Sequence, residues 1–201
     1  NHMVRLANDM VTLFYDRETE SWHKTSFVTP EGRYGYVGII LDGRKAVALL
    51  KGTVFDVNAA PDWPHYNWRF LRLAVCEDLT KGEWTTKPWL VPRFGQTEMF
   101  DMVRGPGDRI HFVYDHRGGD DSYEATQARP KVLYVGRLED DMSVTTFEPG
   151  IEAEACNLFE SSGGKWYMTG RKNEKVFLWE VDADDGFKPV NEWPLEGAEV
   201  L

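Results

Sequence analysis

Apolar and polar residues change places in short runs along the whole chain. In Met102–Arg117, MVRGPGDRIHFVYDHR, the residues Ile110, Phe112 and Tyr114 alternate with Arg109, His111, Val113 and Asp115. A period of two is that of a β-strand. The run breaks at Gly105-Pro106-Gly107-Asp108, residue types that make a hairpin turn. Related text opens the chain, where Met3–Arg17 reads MVRLANDMVTLFYDR with a turn at Asn8-Asp9. Looser copies are Tyr36–Lys51, with its turn at Asp42-Gly43, and Asn157–Arg171, with its turn at Gly163-Gly164. Four hairpins at intervals of roughly 35 to 65 residues are the mark of a repeat architecture.

Further strands follow each hairpin. Trp68–Cys76 and Trp84–Val91 follow the second, Lys131–Leu138 and Val144–Phe147 the third, Lys175–Val181 and Phe187–Trp193 the fourth; only Trp22–Val28 follows the first. No stretch has the period of a helix. Short strands between Gly, Asp and Asn turns predict an all-β protein. Repeated four-stranded antiparallel units predict the blades of a β-propeller, with a β-sandwich as the plainer alternative. Four hairpins fit a four-bladed ring or part of a five-bladed or larger one, and the 201 residues are expected to form a single domain, 1–201.

Composition narrows the choice of partner. Eight Trp and 13% aromatic residues suit a sugar binder as well as a β-fold. A net charge of −10 argues against nucleic acid and against an anionic membrane surface. No apolar run is long enough to span a bilayer. Asn1-His2-Met3 reads either as a cloning scar or as native sequence, and the match of Met3 to Met102 favours the second. With no signal peptide in view, the expectation is a cytoplasmic protein, or a secreted one whose signal has been removed. Cys76 and Cys156 fall in different repeats and are expected to be buried thiols. The Asp and Glu clusters at 120–121, 139–141 and 182–185 lack metal-loop spacing, so no metal or other cofactor is expected.

Propeller geometry sorts the polar residues. The start of a blade's first strand and the end of its second lie on one face, because the two are antiparallel. On that reading the face carries His2, Arg33, Tyr34, Tyr36, Asp101, Glu152 and Glu154 at strand starts. It carries Arg17, Lys51, Asp115, His116, Arg117 and Arg171 at strand ends. The loops 52–67 and 118–130 wall it, and Trp63, His65, Tyr66 and Tyr123 within them are placed to stack on a flat ligand. Asp101 and Glu154 are expected at equivalent positions one repeat apart, the minimum for glycoside hydrolysis by two carboxylates. Cations at four strand ends of an acidic protein, three of them arginine, suggest an anionic sugar, since the guanidinium fork matches a carboxylate. Pairing of these cations with neighbouring acids is the alternative.

Three stretches carry a family resemblance. Ala153–Arg171, AEACNLFESSGGKWYMTGR, resembles the third-blade motif of the five-bladed glycoside hydrolases of families 43 and 32 and their relatives. Phe100–Arg117 is similar to their second-blade motif, and Leu71–Val91 looks like their outer strands. The resemblance implies that Glu154 is a general acid and that Asp101 orients it and tunes its acidity. Two departures stand out: neither carboxylate is followed by the family's proline, and the first-blade aspartate has no clear match, its place being held by His2 or by Arg33–Tyr36. Sialidase-like propellers and propeller polysaccharide lyases share the architecture, so a lyase using His2, Tyr34, Tyr36 or His116 with arginine is a further expectation. So is a non-catalytic sugar-binding or scaffold propeller, with an oligomer or partner chain completing it.

Overall fold

A computed structural model describes residues 2–6, 9–28, 33–54, 68–90, 95–97, 99–105, 108–118, 123–182 and 187–195. The chain divides into two compact units, residues 1–96 with 118–126 and residues 97–117 with 127–201. Both are built of antiparallel sheet.

The first unit holds two sheets. One runs in the order β1 (His2–Leu6), β2 (Asp9–Asp16), β3 (Ser21–Val28). The other runs β4 (Arg33–Asp42), β5 (Lys45–Val54), β6 (Trp68–Cys76), β7 (Trp84–Trp89). Gly43 adopts φ 56° between the paired Asp42 and Lys45, a left-handed turn conformation that glycine takes without strain. The middle strands bury residues on both faces, and apart from Arg72 their central stretches are apolar. Ala46 to Leu50 on β5 are all buried, as are Leu71, Leu73, Ala74, Val75 and Cys76 on β6.

The two sheets stack through Phe14, Ala46, Cys76 and Leu79, with Ile39, Leu41 and Trp84 against them. The Trp84 indole N–H donates to Thr25 Oγ1 at 3.3 Å. Gly82, at φ 73°, lies so close to Thr25 that a Cβ there would sit 2.4 Å from the threonine methyl. Arg44, in the β4–β5 turn, bonds Asp16 and Glu18 in the β2–β3 turn at 2.8 and 2.7 Å.

These contacts correct the expected equivalence of Met3–Arg17 with Met102–Arg117. Trp22 pairs with Tyr15 as Trp84 pairs with Cys76. The strands β1, β2 and β3 therefore match β5, β6 and β7, the second to fourth strands of their neighbour. Alternation and a polar turn look the same for any two consecutive antiparallel strands, so the pattern alone does not tell an inner pair from an outer one.

The second unit follows β8 (Gly95–Gln96). One sheet contains β9 (Phe100–Arg104), β10 (Ile110–Gly118), β11 (Val132–Leu138) and β12 (Val144–Phe147). The other runs β13 (Glu154–Glu160), β14 (Trp166–Lys172), β15 (Lys175–Val181), β16 (Phe187–Pro194). Val113, Leu133 and Val135 of the former meet Cys156, Leu158, Met168 and Trp179 of the latter in a second core. One helix, α1 (Tyr123–Ala128), stands among the described residues where the sequence suggests none. Its six residues include good helix formers but are too few to show a 3.6-residue period. Cys76 and Cys156 are buried free thiols.

Candidate active site

The site forms in the second unit at the end of β10. That strand delivers Asp115, His116 and Arg117, and Lys131 stands beside it just before β11 begins. The segment before β13 then pairs back onto β11. Leu133 N–H donates to the Ile151 carbonyl at 2.9 Å, Ala153 N–H to the Lys131 carbonyl at 3.1 Å, and Val132 bridges Glu152. This hook brings Glu154 against Lys131, and the β13–β14 register sets Glu154 opposite Arg171.

The result is a chain of alternating charge. Asp115 Oδ2 lies 3.6 Å from Lys131 Nζ, which lies 3.1 Å from Glu154 Oε2. Glu154 Oε1 accepts from Arg171 Nη2 at 2.6 Å. A parallel pair, Glu152 with Lys172 at 2.9 Å, stands next to it. Exposure rises along the chain, from 0% at the Asp115 side chain to 33% at Glu154 and 51% at Arg171. The inner end is anchored by backbone: Asp115 accepts the N–H of Met99 at 3.0 Å and of Ala155 at 3.3 Å. Ala155 has φ 54° within a register shift of β13, left-handed backbone that a non-glycine residue adopts at a cost. The hydrogen bond from Arg171 holds the Glu154 carboxyl below the usual carboxylate range; burial opposes this, and Lys131 reinforces it.

Asp101 and Glu154 do not occupy matching registers. Asp101 stands opposite Val113, inside its sheet, whereas Glu154 stands opposite Arg171 at a strand opening. The Asp101 carboxylate accepts the N–H of Leu158 at 3.0 Å and of Met102 at 2.8 Å, so it braces β13 against β9. Asp115 is the acid that the lysine links to Glu154.

His116 is buried. Its Nδ1 shares a 3.1 Å hydrogen bond with Thr97 Oγ1, and its Nε2 has no hydrogen-bond partner. Its ring lies edge-on to Tyr134 at 6.0 Å, and Tyr134 stacks on Tyr114 at 5.2 Å. Burial pushes the imidazole down to about 4 and the Tyr134 hydroxyl up to about 12, the latter helped by Glu148.

The other expected residues scatter. Arg17 lies at the β2–β3 turn beside Gly43 and Arg44, and Lys51 lies on β5 opposite Tyr36 and Leu71, so within their unit these two strand-end cations do not share one end. Lys51 is buried on β5 and Arg117 is half-buried; both are engaged with neighbours. His2 lies on β1, and Arg33, Tyr34 and Tyr36 lie on β4, with Tyr36 paired to Lys51. Trp63, His65 and Tyr66 lie outside the described residues, and Tyr123 opens α1. Lys131 is the site residue that the strand-end reasoning passed over. The antiparallel pairing of Asp115 with Leu133 and His116 with Val132 places it, and that register is not written in the alternation. Among the described residues, no group of three or more His, Cys, Asp or Glu is placed to hold a metal ion.

No protein-family model matches the sequence, and no curated protein matches it. Solved structures do. The chain is similar to the α-L-arabinanase of Penicillium chrysogenum complexed with arabinobiose, with a TM-score of 0.55 at 11% identity over 90% of this chain and 54% of that one. It is similar to the GH93 α-L-arabinofuranosidase of Fusarium graminearum with arabinobiose, with a TM-score of 0.52 at 11% identity over 91% of this chain and 55% of that one. A third likeness is to a structure from the GH130 family of mannoside phosphorylases, which contains glycoside hydrolases that target β-1,2 mannosidic linkages in Candida mannan. Its TM-score is 0.50 at 11% identity, over 89% of this chain and 53% of that one. The chain thus spans little more than half the length of the structures it matches. The fold is an all-β propeller of the kind seen in these glycosidases.

Proposed function

We propose that the chain is a carbohydrate-active propeller of the glycoside hydrolase kind, acting on a furanose or anionic sugar with Glu154 as its reacting carboxylate. One observation carries the reading. Glu154 is a partly exposed carboxylate at a strand opening, held between Lys131 and a more exposed Arg171. A fold likeness to arabinanase and arabinofuranosidase structures supports it by analogy.

At rest Glu154 is ionised, the form that suits a base or nucleophile rather than an acid. A sugar carboxylate that takes the fork of Arg171 removes the largest interaction holding Glu154 deprotonated. Its acidity then moves back towards the range of a proton donor. Asp115 acts through Lys131 as a positioning residue, and Asp101 acts on the backbone of β13. The β-elimination alternative loses His116, whose buried ring offers no free approach to substrate.

A second reading is a non-catalytic sugar-binding propeller. The closed ion chain favours it, because every charge from Asp115 to Arg171 already has a partner. Turnover of nitrophenyl arabinofuranosides and of uronate polysaccharides separates the two. The hydrolase reading expects Glu154→Gln to fold normally and lose at least a hundredfold in kcat. Turnover that survives this change removes Glu154 from the chemistry. Binding without turnover in the unaltered chain favours the second reading.

A further inference from the structure

In the first unit a cleft of about 740 Å³ opens where the β2–β3 turn meets the β4–β5 turn. Pockets of that volume hold small organic ligands. All of its lining falls within residues 14–44. Phe14 and Leu41, which line it, share one core, and Arg44 reaches from one turn to Asp16 and Glu18 on the other at 2.8 and 2.7 Å. The walls are thus tied to each other.

The charged groups of the cleft are unequally engaged. The Asp16 side chain is 4% exposed and accepts the Glu18 N–H at 3.0 Å as well as Arg44. Both ion pairs of Arg44 use Nη2, so its Nε and Nη1 hydrogens make no bond among the described residues. Arg17 is exposed and has no hydrogen bond or ion pair among them. Two guanidinium groups with unused donors therefore line one cleft, and Asp16 already holds one of them in place. A donor fixed in advance binds more tightly than one that must be ordered on binding.

The arrangement selects among anions. The two guanidinium groups come from separate turns, so they meet a ligand from two directions. A tetrahedral anion presents three terminal oxygens to them, whereas a planar carboxylate fills a single fork with its two. Asp16 and Glu18 balance the two positive charges, which disfavours a dianion against a monoanion. Glu18, 81% exposed, is also an acceptor for a hydroxyl donor, and Leu41 adds apolar lining. A sulfate monoester on a sugar matches each feature: three oxygens, one charge, hydroxyl donors and an apolar C–H face. We propose that this cleft is a second ligand site, which binds a sulfated sugar with Arg17 and Arg44 on the sulfate and Glu18 on a hydroxyl. The choice of a sugar as carrier rests on the carbohydrate reading above; the anion geometry does not.

NMR titration of the Arg171→Ala chain with galactose 6-sulfate reads this cleft with the arginine of the other site removed. Galactose and galactose 6-phosphate should each bind at least tenfold more weakly than the sulfate ester. Arg17→Ala should weaken binding of the ester about tenfold. Gly43→Asp is the second variant: aspartate tolerates the left-handed φ 56° of Gly43, a Cβ there meets no atom within 4 Å, and its carboxylate brings negative charge to the cleft. It too should weaken binding about tenfold, with circular dichroism unchanged. Galactose or galactose 6-phosphate binding as well as the ester, binding that both variants leave intact, or no binding overturns the proposal. So does inorganic sulfate binding as tightly as the ester, since the sugar then adds nothing. The two readings fail separately. A chain that turns over no sugar loses the hydrolase reading and keeps this one if Arg17→Ala weakens binding. A chain whose turnover needs Glu154 loses this one if Arg17→Ala and Gly43→Asp leave binding intact.

Discussion

A buried histidine with one satisfied nitrogen makes stability depend on pH. His116 sits with Thr97 on Nδ1 and no partner on Nε2, and burial lowers it from the ordinary 6.5 to about 4. As pH falls through 6.5 the unfolded chain takes up a proton that the folded chain refuses. Between 6.5 and about 4 the unfolded state binds more protons, so stability falls with pH across that window. Between pH 7 and 4.5 the loss from this one ring is roughly 2–3 kcal/mol. Urea unfolding at the two pH values should show His116→Gln losing less than the parent by about that difference. Equal losses would mean that the folded protein finds an acceptor for the imidazolium. The other groups of the region titrate in both proteins and cancel in the comparison.

At the scale of the element, β13 decides the site. Its register shift leaves Ala155 at φ 54°, with its N–H on Asp115. Left-handed backbone costs a residue with a Cβ about 1–2 kcal/mol, and glycine gives back roughly half of that gain through its freer unfolded chain. Ala155→Gly is therefore expected to raise unfolding stability by about 0.5–1 kcal/mol without moving Glu154. A loss instead would mean that the Ala155 methyl contributes packing that outweighs the strain. The same strand shows what a sequence discloses. The strands themselves are legible, because a period of two and Gly or Asp turns are local properties. The hook from Ile151 to Ala153 is not, since it depends on pairing across a loop and a whole hairpin. Glu154 stands out as a carboxylate at a strand opening, but its bond to Lys131 needs the β10–β11 register. Asp115 reads as a rim residue from its place beside His116 and Arg117, and only sheet stacking shows that it is buried. The first sheet misleads for a related reason: Met3–Arg17 has the alternation of an inner hairpin, and only Trp84 against Thr25 identifies its strands as outer ones.

Across the whole molecule, charge bears on the anionic sugar proposed as ligand. The chain carries −10 overall, with 33 acidic against 23 basic residues. The site is locally neutral: Asp115, Glu152 and Glu154 balance Lys131, Arg171 and Lys172. A uronate bound at Arg171 adds one uncompensated negative charge inside an already negative protein. The cheapest way to restore neutrality is a proton on Glu154, because the sugar has taken the arginine that kept it ionised. Binding should therefore take up a fraction of a proton, up to about one per sugar, at pH 5 to 6, the fraction rising as pH falls. Isothermal titration in buffers of different ionisation enthalpy measures that number directly. A carboxyl-reduced analogue should take up none, and Glu154→Gln should bind the uronate with no linked proton. If the parent binds the uronate with no proton uptake at either pH, Glu154 keeps its ion pair in the complex. Arg171 is then a structural partner of Glu154 rather than a ligand for the sugar.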